Sequence, residues 1–115
     1  MNYRIFVTRN FEKEAKKLLK KYASLKSELT ELNKQLLLNP LQGTPLGRNA
    51  YKIRVAVKSK GKGKSGGLRI ITLVEVDIII KDTTNIFLLS IYDKSEVASI
   101  SSDELKRLIN STKTE

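Results

Sequence analysis

Cysteine and histidine are both absent from this chain. Without thiols there is no disulfide scaffold and no thiolate zinc site. Without imidazole there is no Ser-His-Asp triad and no imidazole metal cluster. No run of about 18 apolar residues is present, so no transmembrane helix is expected. Met1-Asn2-Tyr3-Arg4 leads straight into an alternating apolar segment, with no signal-peptide layout. These absences suit a cytoplasmic protein with no membrane partner, no metal and no cofactor. At 115 residues the expectation is one domain over 1–115, with a frayed polar tail over 110–115.

Acidic residues are also scarce in one part of the chain. Residues 1–69 hold 17 basic and 4 acidic residues, whereas residues 70–115 hold 5 basic and 8 acidic ones. The first part therefore carries +13 and the second −3, which together make the net +10. A field this one-sided attracts polyanions, chiefly nucleic acid or an acidic protein.

Hydrophobic spacing predicts the elements. Tyr3, Ile5 and Val7 alternate as a short strand. Phe11, Ala15, Leu18, Leu19 and Tyr22 form one helical face, which Thr8 or Asn10 can cap. Leu25, Leu29, Leu32 and Leu36 stripe a second helix that Asn39-Pro40 stops, and the two helices should form a hairpin. Residues 39–49, with two prolines and two glycines, read as a loop. Tyr51 to Val57 alternates cleanly, setting Tyr51, Ile53, Val55 and Val57 against Lys52, Arg54, Ala56 and Lys58. Leu68 to Val76 is almost continuously apolar, as in a central strand covered on both faces. Residues 77–80 extend it or begin another strand. Ile86 to Tyr92 is a further strand, and Ser101-Ser102-Asp103-Glu104 opens a last helix as a capping box. The class is α+β: a mostly antiparallel sheet of about four to five strands, an N-terminal helical hairpin on one face and a short C-terminal helix.

The segment from Lys52 to Arg69 carries Lys52, Arg54, Lys58, Lys60, Lys62, Lys64 and Arg69 with no acidic residue. Such a cluster repels itself unless an anion is expected, and phosphate is the obvious one. The alternative is a solvated hairpin loop. Gly61-Lys62-Gly63-Lys64-Ser65-Gly66 matches G-x-G-x-x-G, but a strand rather than a helix follows, so no helix N-terminus can meet a pyrophosphate. Gly63-Lys64-Ser65 fails as a P-loop, because Lys58 stands where the first glycine is needed. Arg69 opens an apolar strand, where arginine rarely stands without a partner. That partner is a phosphate, or a carboxylate such as Glu75, Asp77 or Asp93. Tyr92-Asp93-Lys94 closes the last strand, placing a phenol and a cation at a sheet end; a core tyrosine is the plainer alternative.

The run from Tyr51-Lys52-Ile53-Arg54 through Lys58 to Arg69-Ile70, followed by Leu88 to Glu96, resembles the HigB-like branch of the RelE/ParE superfamily of bacterial type II toxins. The order of elements matches over nearly the whole chain. The resemblance implies a RelE-like fold, a cognate antitoxin partner, and ribosome-dependent cleavage of mRNA in the ribosomal A site, inhibiting translation. By motif position Arg69 resembles the family's phosphate-binding arginine and Tyr92 its sheet-end tyrosine. Lys52, Arg54 and Lys58 resemble the basic residues of the first hairpin strand. Lys60, Lys62, Lys64 and Lys94 are expected to bind RNA phosphates. Some HigB-type members use histidine, which this chain lacks. Two other readings share the fold or the charge: a ParE-like gyrase poison without RNase activity, and a non-catalytic RNA-binding module.

Overall fold

The computed structural model describes residues 2–60, 67–77, 79–80 and 82–113. In chain order the elements are β1 (Asn2–Val7), α1 (Arg9–Lys21), α2 (Leu25–Leu38), β2 (Thr44–Gly47), β3 (Ala50–Val55), a 3-10 turn (Lys58–Lys60), β4 (Leu68–Val76), β5 (Thr83–Asp93) and α3 (Ser102–Ser111). Among the described residues the strands form one five-stranded sheet in the order β1-β5-β4-β3-β2. Strands β2 to β5 pair antiparallel, and β1 lies parallel to β5. The expected α+β class therefore holds, with one parallel pair added.

The apolar spacing explains the two layers on the sheet. Phe11 and Ala15 of α1 and Leu25, Leu32 and Leu36 of α2 bury against Ile53, Val55, Leu68, Ile70, Ile86, Leu88 and Ile91. Leu105 and Leu108 of α3 bury on the other face, against Ala50, Ile71, Leu73, Leu89 and Tyr92. Strand β4 is covered on both sides, as its continuous apolar run requires. A fully buried leucine of this kind contributes roughly 1.5–3 kcal/mol.

Strand β1 stops at Val7, yet β5 continues to Asp93, so among the described residues part of the β5 edge has no strand beside it. The start of α1 takes over that edge. The Thr8 N–H donates to the Leu88 carbonyl at 3.2 Å, and the Thr8 hydroxyl donates to the same oxygen at 2.8 Å. Thr8 also caps α1 by accepting from the Phe11 N–H, which decides between the two expected caps. Asn10 Nδ2 donates to the Leu89 carbonyl, and the Glu14 carboxylate accepts from the Ser90 hydroxyl and the Ile91 N–H.

Three expectations about the strands need correction. Residues 39–49 are not all loop: Thr44–Gly47 pairs with β3. Gly47 faces Ala50 across Arg48 and Asn49, both at positive φ (56° and 64°), the two-residue turn that matches strand twist. Asp77, Ile79 and Ile80 do not extend β4. The Asp77 carboxylate accepts from the Ile79 and Ile80 N–H groups and folds the chain into a turn. Strand β3 ends at Val55, two residues before the expected limit.

Candidate functional site

Three of the residues singled out in the sequence meet in one cross-strand row. Arg54 of β3 faces Arg69 of β4, and Arg69 faces Tyr92 of β5. Residues opposite one another in an antiparallel pair share a sheet face. This row therefore lies on the α3 side, away from the helical hairpin. Lys52 lies on the same face of β3, opposite Ile71.

A bulge puts Tyr92 in that row. Ile71 pairs with Ser90 and Thr72 with Leu88, leaving Leu89 as an extra residue in β5. Leu88 packs under the hairpin and Leu89 under α3. Beyond the bulge Ile91 returns to the hairpin side, and Tyr92 turns to the α3 side. Strict alternation from Leu88 would have put Tyr92 on the hairpin side, away from Arg69.

The row is graded from open to covered. Arg54 is exposed, Arg69 retains 3% of its surface and Tyr92 retains 8%. One terminal nitrogen of Arg69 donates to the Leu68 carbonyl at 3.2 Å. The Tyr92 hydroxyl is closed to solvent and makes no hydrogen bond of full geometry. Burial raises its pKa, while the Arg69 charge and the Ile100 N–H act in the opposite sense. At neutral pH the phenol is therefore protonated, so it has a proton to donate and cannot take one up.

The remaining expected cations separate. Lys58 and Lys94 are exposed, on the 3-10 turn and just after β5. Lys62 and Lys64 lie outside the described residues. Lys60 does not face solvent as a phosphate-binding residue would. Its ammonium makes an ion pair with the Asp93 carboxylate, and both side chains are more than nine-tenths buried. It also lies 5.8 Å from the centre of the Tyr22 ring. The Tyr22 hydroxyl donates to Asp93 Oδ2 at 2.7 Å, and the Ser95 N–H and hydroxyl donate to Oδ1 at 2.9 and 2.7 Å. Burial of the Asp93 carboxyl would raise its pKa, but the hydrogen bonds from Lys60, Ser95 and Tyr22 outweigh that and hold it well below the usual carboxylate range.

Of the carboxylates weighed as partners of Arg69, Asp93 is thus taken up by Lys60, and Asp77 pairs with Arg4 at 3.0 Å. Local spacing carries no sign of Tyr22 in this cluster, because 71 positions separate it from Asp93. Among the described residues no group of three or more acidic side chains is arranged to hold a metal ion, and no helix is long and apolar enough to cross a membrane.

Fold and site together define a small basic α+β protein with a helical hairpin on one sheet face and an arginine–tyrosine row on the other. The chain belongs to the RelE toxin family: the family model described as the RelE toxin of the RelE / RelB toxin-antitoxin system matches residues 3–114. It is thus a toxin component, and its family implies an antitoxin partner.

Proposed function

We propose that this toxin is a metal-independent endoribonuclease that cuts mRNA in the ribosomal A site and so inhibits translation in the cytoplasm. The observation that carries this reading is the Arg54–Arg69–Tyr92 row on one sheet face. The ribose 2′-oxygen attacks the adjacent phosphorus, and its proton passes to a base. The bond from phosphorus to the 5′-oxygen breaks, and that oxygen takes a proton from an acid. The products are a 2′,3′-cyclic phosphate and a 5′-hydroxyl. Such a step needs a base, an acid and a charge stabiliser.

Arg69 stabilises the developing charge, because its planar fork matches phosphate oxygens and stays cationic. Tyr92 supplies the acid, consistent with its protonated state. Lys52, Arg54 and Lys58 surround the approach with positive charge, and the two lysines are the candidate bases. Lys94 holds RNA phosphate beside them. Tyr92 packs with Ile100, Leu105 and Leu108, so substrate reaches its hydroxyl only when α3 and the segment leading into it shift.

The test is a cell-free translation reaction with a defined mRNA, mapping 5′ ends for wild type, Arg69→Ala and Tyr92→Phe. Cuts at ribosome-positioned codons, lost in Arg69→Ala and slowed in Tyr92→Phe, are expected. Intact mRNA with wild type overturns the reading and moves the target to gyrase or to RNA binding without cleavage. Undiminished cutting by Arg69→Ala removes Arg69 from the site.

A further inference from the structure

Both ends of the basic connection between β3 and β4 converge on one point, Asp93-Lys94 at the end of β5. At the near end Lys60 is ion-paired with Asp93. At the far end Leu68 stands opposite Asp93, and the Lys94 N–H donates to the Gly67 carbonyl at 3.4 Å. The near end is also fastened to the helical hairpin. The Lys58 N–H donates to Glu28 Oε2 at 2.7 Å, the Ser59 N–H to the Ser24 hydroxyl at 3.0 Å, and the Ser24 N–H to the Ser59 hydroxyl at 3.3 Å. Asp93 directly follows Tyr92, and Leu68 directly precedes Arg69. The ion pair therefore sits one residue beyond the Arg54–Arg69–Tyr92 row, toward the hairpin, where it packs against Tyr22.

We propose that Asp93 and Lys60 are positioning residues of the candidate active site: their buried pair pins the Lys58–Lys60 turn to the end of β5 and holds Tyr92 and Arg69 in register with it. This rests on the endoribonuclease reading. Lys60 on this account contributes no phosphate contact, whereas the exposed cations around it do. A buried pair is a costly way to gain stability, since apolar residues of similar size often do as well, so its use here is geometric. A misplacement of about 1 Å can cost up to about a hundredfold in rate.

The experiment measures kcat and KM for cleavage of ribosome-bound mRNA by full-length wild type, Lys60→Met, Asp93→Asn, Lys60→Arg and the Lys60→Met/Asp93→Asn double variant. Each is compared at an equal folded fraction from its denaturation curve. Each neutral single variant is expected to lose kcat by tenfold or more, up to about a hundredfold, with KM little changed. Lys60→Arg, which keeps the charge, should recover most of the rate. The double variant leaves no buried charge unpaired, so it should regain stability while its kcat stays low.

Wild-type kcat in the single variants, a loss confined to KM, or recovery of both rate and stability in the double variant would each show the pair to be a structural contact only, and would overturn the proposal alone. No cleavage by wild type would bring down the endoribonuclease reading and the positioning role with it.

Discussion

Asp93 shows how one side chain gains its character from residues far away in sequence. Its carboxyl titrates well below the ordinary value of about 3.9, because charged and neutral donors converge on it once it is buried. The folded form therefore holds that proton more weakly than the unfolded chain does. The pair's contribution is fully present above about pH 4 and is lost as pH falls from there through the folded-state value. Wild type should lose stability on acidification below about pH 4, and Asp93→Asn, less stable at neutral pH, should show a smaller drop over the same interval. Urea unfolding at pH 7 and pH 3 checks this; equal acid losses in the two proteins would remove Asp93 as a source of the acid sensitivity.

At the scale of elements, the β2–β3 hairpin is held by backbone conformation more than by burial. Gly43 has φ of +101°, and a Cβ there would stand 2.6 Å from the Lys52 carbonyl oxygen. Gly47 has φ of +82° with open space around it. Gly47→Ala should cost only the strain of a left-handed residue, roughly 1–2 kcal/mol. Gly43→Ala adds a backbone clash and should cost more, with a lower midpoint in guanidinium unfolding. Equal losses would show that the clash is relieved by a small shift of β2. The bulge at Leu89 matters more for the candidate site. It reverses the facing of every β5 residue beyond it and so brings Tyr92 beside Arg69.

The whole molecule carries +10, concentrated in its first 69 residues. RNA binding should therefore weaken linearly on a log–log plot of affinity against salt, with a slope of about −0.7 for each phosphate neutralised on a single strand. Replacing exposed Arg54 or Lys58 with an uncharged residue should make that slope shallower by about 0.7. Lys60→Met should leave it unchanged, because that ammonium is already paired. Fluorescence anisotropy of a labelled single-stranded RNA across a salt series measures all three. A slope insensitive to Arg54 and Lys58 would place the RNA elsewhere on the surface.

Much of this architecture was determined by the sequence alone. Period-3.6 leucines mark the hairpin, and period-2 alternation marks β3. The unbroken apolar run marks β4 as central, and Ser101 caps α3 by accepting from the Glu104 N–H. These are local signals, written in side chains a few positions apart. The cationic character of the region from Lys52 to Arg69 was legible for the same reason. Tertiary structure alone decided which of those cations stay open and which are paired. Lys58 and Lys60 look equivalent in a run of alternating lysines, yet one is exposed and the other is bonded to a carboxylate 33 positions away. Tertiary structure likewise set β1 parallel to β5, and it turned Tyr92 toward Arg69 through one extra residue. Pairing register and the partners of buried charges depend on contacts across the whole chain, and no local spacing encodes them.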